Sequence, residues 1–317
     1  MLSKKLNYII LFLIFSLSIF LIWSSDNIET NNEHIYNIDD VSVIDKIFLA
    51  DRNGNTITLL KNKNSWTVND KYIVRKDALS TLLSTAKKIR INSPVPKSAF
   101  NNVIKFMSTS GVFVEFYEGS DLIRSYTIGS NTPDHLSTYM LLDKSKTPHS
   151  VHIPSFNGFL SPRYGITGNS INENNWRSHS VFSYPPDSIN FISYTDYINP
   201  VNSFKLNVNP FILSDNKSKL VSFNNKSVLN FLNNFKNINC EAFKLNTDGI
   251  DLSNKIEQMI VNSDTLTTYQ ISDEYSIQKK DRSTVKRKYA ILNSGGVMLI
   301  QNYVFNKVLI SIDELKQ

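Results

Sequence analysis

The sequence predicts an α+β protein with one N-terminal transmembrane helix followed by two related halves, each an antiparallel-rich sheet with two helices. Three observations carry this. Residues 8–23 are the only long uncharged apolar run in the 317-residue chain. Downstream, strand-like alternation is interleaved with capped stretches of helical apolar spacing. The order of those patterns, and one short piece of sequence, then occur twice. The boundaries read as anchor 1–25, polar stalk 26–42, first half 43–153, connector 154–186 and second half 187–317.

The run YIILFLIFSLSIFLIW has Ser16 and Ser18 as its only serines and no charge. A helix satisfies every backbone polar group within the segment, as a bilayer requires. Its length, about 24 Å at about 1.5 Å per residue, is slightly short for a core of about 30 Å; Leu6, Asn7, Ser24 and Ser25 extend it. Lys4 and Lys5 precede it, whereas Asp26 and Glu29 follow it. The positive-inside rule therefore puts the N-terminus in the cytoplasm and the bulk across the membrane, with Trp23 at the interface. A cleaved signal peptide fits less well, because Ile22 or Trp23 would occupy the −3 position, where a small residue is wanted.

Hydrophobic residues at 41% and aromatic residues at 11% are enough for real cores. Of the formal net charge of +6, Lys4 and Lys5 carry two, so the exported part is only mildly basic. No dense basic run with interleaved aromatics marks a nucleic-acid face. Lys279, Lys280, Arg282, Lys286, Arg287 and Lys288 read as a solvated strand and turn. The single cysteine, Cys240, allows no intramolecular disulfide and reads as a small buried residue.

In order, residues 43–50 read as a strand, Asn53-Gly54 as a hairpin turn, and Ile57, Leu59, Trp66 and Val68 as alternating positions of two further strands. Asp77 is the expected cap of a helix to about Arg90, with Leu79, Leu82, Leu83, Ala86 and Ile89 on one face. Pro94 and Pro96 break the chain. Ser98 is the expected cap of a second helix, with Phe100, Val103, Ile104 and Met107 inward and Gly111 beyond its end. Strands follow at 112–117, 122–128, 138–143 and 150–153.

From residue 187 the order returns. Strands at 189–194 and 204–208 flank the turn 199–202. Ser227 is expected to cap a helix carrying Val228, Leu229, Phe231, Leu232 and Phe235, and Ser253 one carrying Ile256, Met259 and Ile260. Strands at 266–272, 275–279, 286–293 and 297–301 complete the half. Tyr139-Met-Leu-Leu-Asp followed by Phe156-Asn157-Gly158-Phe159-Leu160 matches Tyr289-Ala-Ile-Leu-Asn followed by Phe305-Asn306-Lys307-Val308-Leu309. An internal duplication accounts for both the pattern and the match.

The chain has no nucleophile elbow, phosphate loop or glycine-rich dinucleotide turn. His149 and His152 lie on a strand and so on opposite faces, which does not suit a metal; no cofactor is implied. Paired carboxylates such as Asp134 with Asp143, or Glu115 with Glu118, read as solvated turns. The connector differs: Arg163, Tyr164, Trp176 and Arg177 have no counterparts in the second half, and Arg and aromatic residues dominate binding hot spots. These four are the candidate partner-binding residues. Trp176 is expected to plug a seam, and Arg163 and Tyr164 to sit on an exposed turn.

Several stretches resemble a known family. They are Lys46-Ile-Phe-Leu with Asp51-x-Asn53-Gly54-Asn55; Trp66-x-Val68-Asn69; Val74-Arg75-Lys76-Asp77-Ala78 with Leu82-Leu83; Pro94-Val95-Pro96-Lys97; and Val151-His152-Ile153-Pro154-x-Phe156-x-Gly158-x-Leu160-x-x-Arg163-Tyr164 with Trp176-Arg177. Together they resemble the exported Bacteroidota family called domain of unknown function 4340, over about residues 45–190 and weakly beyond. The resemblance implies a bacterial envelope protein, and an accessory role in a gliding-type ABC-transporter complex. It carries over no catalytic residue. The expected function is a non-enzymatic accessory or scaffold protein, anchored in the inner membrane with a periplasmic domain that binds a protein partner. The alternative is a periplasmic glycan-binding module or hydrolase using the connector's aromatics and arginines.

Overall fold

The computed structural model describes residues 34–63, 65–244, 246–271, 286–293 and 295–316, and residue 16 on its own. Apart from residue 16, the anchor expected at 8–23 lies outside these residues, as does the strand expected at 275–279. Among the described residues no helix is long and apolar enough to cross a membrane. The protein is α+β, with mostly antiparallel sheets and few helices. It divides into two compact units, Met1–Ser178 and His179–Gln317, so that residues 154–178 belong to the first.

In the first unit, β1 (Lys46–Ala50) and β2 (Thr56–Lys61) form the expected hairpin. Asp51 fixes its turn: Oδ1 accepts from the amides of Asn53 and Asn55, and Gly54 takes φ +88°. β3 (Trp66–Val68) and β4 (Tyr72–Ile73) extend the sheet. Helix α1 (Lys76–Lys88) begins two residues earlier than expected: Arg75, not Asp77, is the cap position, with no side-chain cap bond. Asp77 sits in the first turn, where a carboxylate complements the helix dipole, and binds Arg75. The helix stops at Ile89 because Arg90–Pro94 is recruited as β5, an edge strand, where a proline is tolerated.

Helix α2 (Lys97–Ser110) also begins without a side-chain cap, Pro96 rather than Ser98 holding the cap position. Strands β6 (Val112–Glu118), β7 (Asp121–Asn131), β8 (Thr138–Leu142) and β9 (His149–His152) complete a nine-stranded sheet of order β4-β3-β2-β1-β6-β7-β8-β9-β5. Tyr139 and Met140, successive on β8, point to opposite faces. Met140 joins the main core with Leu82 and Ala86 of α1, and Tyr139 joins Val103 and Met107 of α2. The sheet therefore carries one helix on each face. Leu160, Tyr164, Ile166, Ile171 and Trp176 close the main core on the α1 side. A short hairpin, β10 (Ile166–Thr167) and β11 (Ser170–Ile171), projects from this segment.

The second unit starts with β12 (Ser180–Phe182). Strands β13 (Phe191–Asp196), β14 (Phe204–Val208) and β15 (Phe211–Asp215) form a meander. Helix α3 (Asn225–Asn233) is capped by Asn224, whose side chain accepts from the amides of Lys226 and Ser227, so the expected cap Ser227 lies inside the first turn. That phase buries Val228, Phe231 and Leu232 and leaves Leu229 48% exposed. Strands β16 (Ile238–Asn239), β17 (Ala242–Lys244), β18 (Lys255–Val261), β19 (Asp264–Tyr269), β20 (Arg287–Leu292) and β21 (Val297–Gln301) follow, then the short helices α4 (Asn302–Phe305) and α5 (Asp313–Lys316). The eight-stranded sheet runs β15-β14-β13-β18-β19-β20-β21-β17. Set aside β4, and this is the order of the first sheet.

One expected helix is a strand. Ile256, Met259 and Ile260 mimic helical spacing, but residues 255–261 form β18, the partner of both β13 and β19, with a register shift between Lys255 and Glu257 that disturbs the two-residue period. No helix stands among the described residues where α2 stands in the first unit, so the expected pair of helices per half holds only there.

Candidate functional site

The connector residues do not share one surface. Tyr164 is fully buried; its hydroxyl hydrogen-bonds that of Tyr126 at 2.8 Å, and burial pushes its pKa well up. The exposed turn expected at this position is therefore corrected. A 3-10 turn, Ser161–Tyr164, swings the phenol into the core and leaves Arg163 half-buried above it. Arg177 sits elsewhere, its guanidinium 3.7 Å from the centroid of Tyr72, while its backbone bridges to Val74.

Trp176 is 1% exposed and packs in the first unit's core. Gly165, with φ +67°, lies flat against it: a Cβ there would fall 2.8 Å from Nε1, Cε2 and Cζ2. The indole Nε1 is buried without a hydrogen-bond partner.

Arg163 and Trp176 do meet, in the wall of a cleft of about 300 Å³ between the start of α1 and the Ser161–Tyr164 turn. Arg75, Asp77, Thr81 and Asn175 line it too. The sequence marked none of the four as a site residue; Asp77 stood out only as a helix cap. Arg75 holds Asp77 in a two-point pair, Nη2 to Oδ2 at 2.8 Å and Nε to Oδ1 at 3.2 Å; those hydrogen bonds keep the Asp77 carboxyl below its ordinary pKa. Arg163 donates Nε to Thr85 Oγ1 at 2.7 Å and stacks 4.8 Å from the Phe156 ring centroid. Asn175 donates Nδ2 to the Gly165 carbonyl at 2.9 Å, tying the two walls together. Two guanidinium groups face one carboxylate, so the cleft has a surplus positive charge.

A second cavity, of about 610 Å³, shares Pro162, Ile166 and Thr167 with the first. Its far side presents Phe106 and Phe159, half-buried rings outside both core clusters of the unit, with Ser130 and Asn131. Sequence reasoning placed Phe159 only as part of the repeat match.

Two of the four carboxylates weighed for acid–base work, Glu115 and Asp134, are committed to local structure. Glu115 accepts from the Tyr117 hydroxyl at 2.7 Å, and Asp134 from Thr132 Oγ1 at 2.6 Å and the Leu136 amide. His149 Nδ1 lies 3.2 Å from the Tyr36 hydroxyl, and burial lowers its pKa. Among the described residues no group of three or more His, Cys, Asp or Glu side chains is placed to hold a metal ion. Comparison with protein families, curated proteins and solved structures returned no match.

Proposed function

We propose that this chain is a non-enzymatic envelope accessory protein: anchored in the inner membrane by residues 8–23, with two α+β units related by duplication in the periplasm, and docking a protein partner at the Arg163 cleft. The observation that carries the docking role is the cleft itself, where a half-buried guanidinium without a carboxylate partner among the described residues stands beside an indole N–H without an acceptor. Such groups are the usual anchors of interfaces. The shared strand order supports the duplication. The resemblance over residues 45–190 supports the envelope placement and a partner within a gliding-type ABC-transporter complex. A hydrolase is less well supported, because the cleft's carboxylate, Asp77, is held by Arg75.

A photo-crosslinking residue at Thr167, which is exposed on the ridge between the two cavities, tests the docking. In living cells it should give a discrete adduct with an envelope protein, and the same residue at exposed Asp121 should not. Equal labelling at both positions, or none at Thr167, would refute the docking site.

A further inference from the structure

We infer that the paired cavities recognise an acidic peptide segment of the partner, one carboxylate entering the Arg163 cleft and a neighbouring apolar side chain entering the Phe106–Phe159 cavity. This rests on the docking reading above and names its chemistry. The charge of the cleft sets the ionic state: two guanidinium groups less the Asp77 carboxylate leave one positive charge, which suits a monoanion better than a phosphate dianion. Arg163 is aimed by its own bonds. Thr85 takes Nε and the Phe156 ring takes one face, and no hydrogen bond of the two terminal nitrogens occurs among the described residues. Those nitrogens match the two oxygens of a carboxylate.

Trp176 reports on the cleft from within its wall, its indole Nε1 sealed from solvent. Buried polar groups are normally satisfied, and one that is not calls for an explanation. Its Nε1 edge is where Gly165 leaves out a side chain, in the wall of the same cleft. The second cavity explains why the ligand is more than a free anion. Half-buried phenylalanine rings outside both core clusters favour an apolar side chain, and the shared ridge of Pro162, Ile166 and Thr167 places that side chain next to the carboxylate.

The test uses the full-length chain in detergent micelles and the nitrogen–proton spectrum of its indoles. The chain has three tryptophans, so Trp23 and Trp66 serve as internal controls, and Trp176→Phe assigns the third signal. The probe is a blocked tripeptide with glutamate between two leucines. It should move the Trp176 indole signal saturably, and the glutamine analogue should bind at least tenfold more weakly. Arg163→Gln should weaken the glutamate peptide by a similar factor, Arg163→Lys less, and Arg177→Gln not at all. The inference is overturned by a Trp176 signal that stays still, by equal binding of the glutamine analogue, or by inorganic phosphate giving the same shift, which would mark a simple anion hole. The peptide comparison needs no variant to fold. If it fails while crosslinking at Thr167 persists, docking stands and the acidic-peptide chemistry falls; loss of the crosslink alone removes the docking reading.

Discussion

Gly165→Ala offers a sharp test of how the cleft is built, because Gly168, three residues on, is its control. Gly165 has φ +67° and Gly168 φ +62°, so both sit in the left-handed region, where a non-glycine residue costs about 1–2 kcal/mol. The positions differ in what an added Cβ meets. At Gly168 nothing lies within 4 Å; at Gly165 the Cβ falls 2.8 Å from three atoms of the Trp176 ring. That ring is 1% exposed and cannot step aside, so the overlap should add an overpacking cost of about 1–3 kcal/mol. The sum for Gly165→Ala is about 2–5 kcal/mol, against about 1–2 kcal/mol for Gly168→Ala. Urea unfolding followed by tryptophan fluorescence reads this well, because both Trp66 and Trp176 lie in the first unit and report its transition. If the two variants lose the same stability to within about 0.5 kcal/mol, the indole does not occupy the space assigned to it, and the account of the cleft wall fails.

Four other outcomes follow from the same reasoning. Trp176→Ala should cost about 3–5 kcal/mol and Trp176→Phe markedly less, since phenylalanine fills most of the space and removes the unpartnered N–H; urea midpoints that fall equally would contradict this. Burial pushes the Asp51 carboxyl up, but hydrogen bonds from Asn55, Ile171 and Asn53 outweigh it and hold the group below its ordinary value of 3.8. The stability this contributes is complete above that value and is lost as pH falls through the lower folded one, so the gap between wild type and Asp51→Ala should narrow as pH falls below 3.8; a constant gap refutes the assignment. Lys288→Met should cost about 3 kcal/mol by stranding Glu257, whose side chain is 11% exposed and bonded to Lys288 at 2.7 Å, and adding Glu257→Gln should restore most of it; a double variant no better than the single would overturn this. A reporter active only outside the cytoplasm, fused after Gln317, should be active on a protein that still begins near Met1; a soluble form starting near Ser25 would replace the anchor by a cleaved signal.

Much of the fold was legible in period and punctuation. The Asn53-Gly54 turn, the Leu82–Ala86 stripe and the alternation at Phe204, Leu206 and Val208 all appear where the pattern puts them. Failures came where tertiary partners override local signals. Residues 255–261 carry helical spacing but are claimed by strands on both sides, and Arg90–Pro94 looks like a broken helix end until β9 supplies its ladder. The first two caps were each misplaced by two residues because backbone entry, not the nearest Asp or Ser, decides the first turn at Arg75 and Pro96. Of the site, Arg163 and Trp176 were visible as an unusual pairing of residue types. Arg75, Thr81 and Asn175 were not, because ordinary polar residues acquire a role only when the chain folds distant segments around one cleft. Tyr164 was misread because a single 3-10 turn separates a surface arginine from a core phenol.

The far-edge position of β5 has a consequence for the order in which the chain can be finished. Arg90 pairs with His152, and Ala242 with Leu299, so each sheet is closed by a strand made about 60 residues after the one it must pair with. At synthesis rates of about 5–20 residues per second, residues 90–94 wait roughly 3–12 s for their ladder. Pro94 and the register shift between Ile91 and Ser93 make that waiting edge a poor template for a stranger's strand. The same arithmetic makes the C-terminus critical: a chain cut before Val297 loses β21, the only ladder partner of β17 among the described residues, so the second sheet is left open at two adjacent places by a single missing strand.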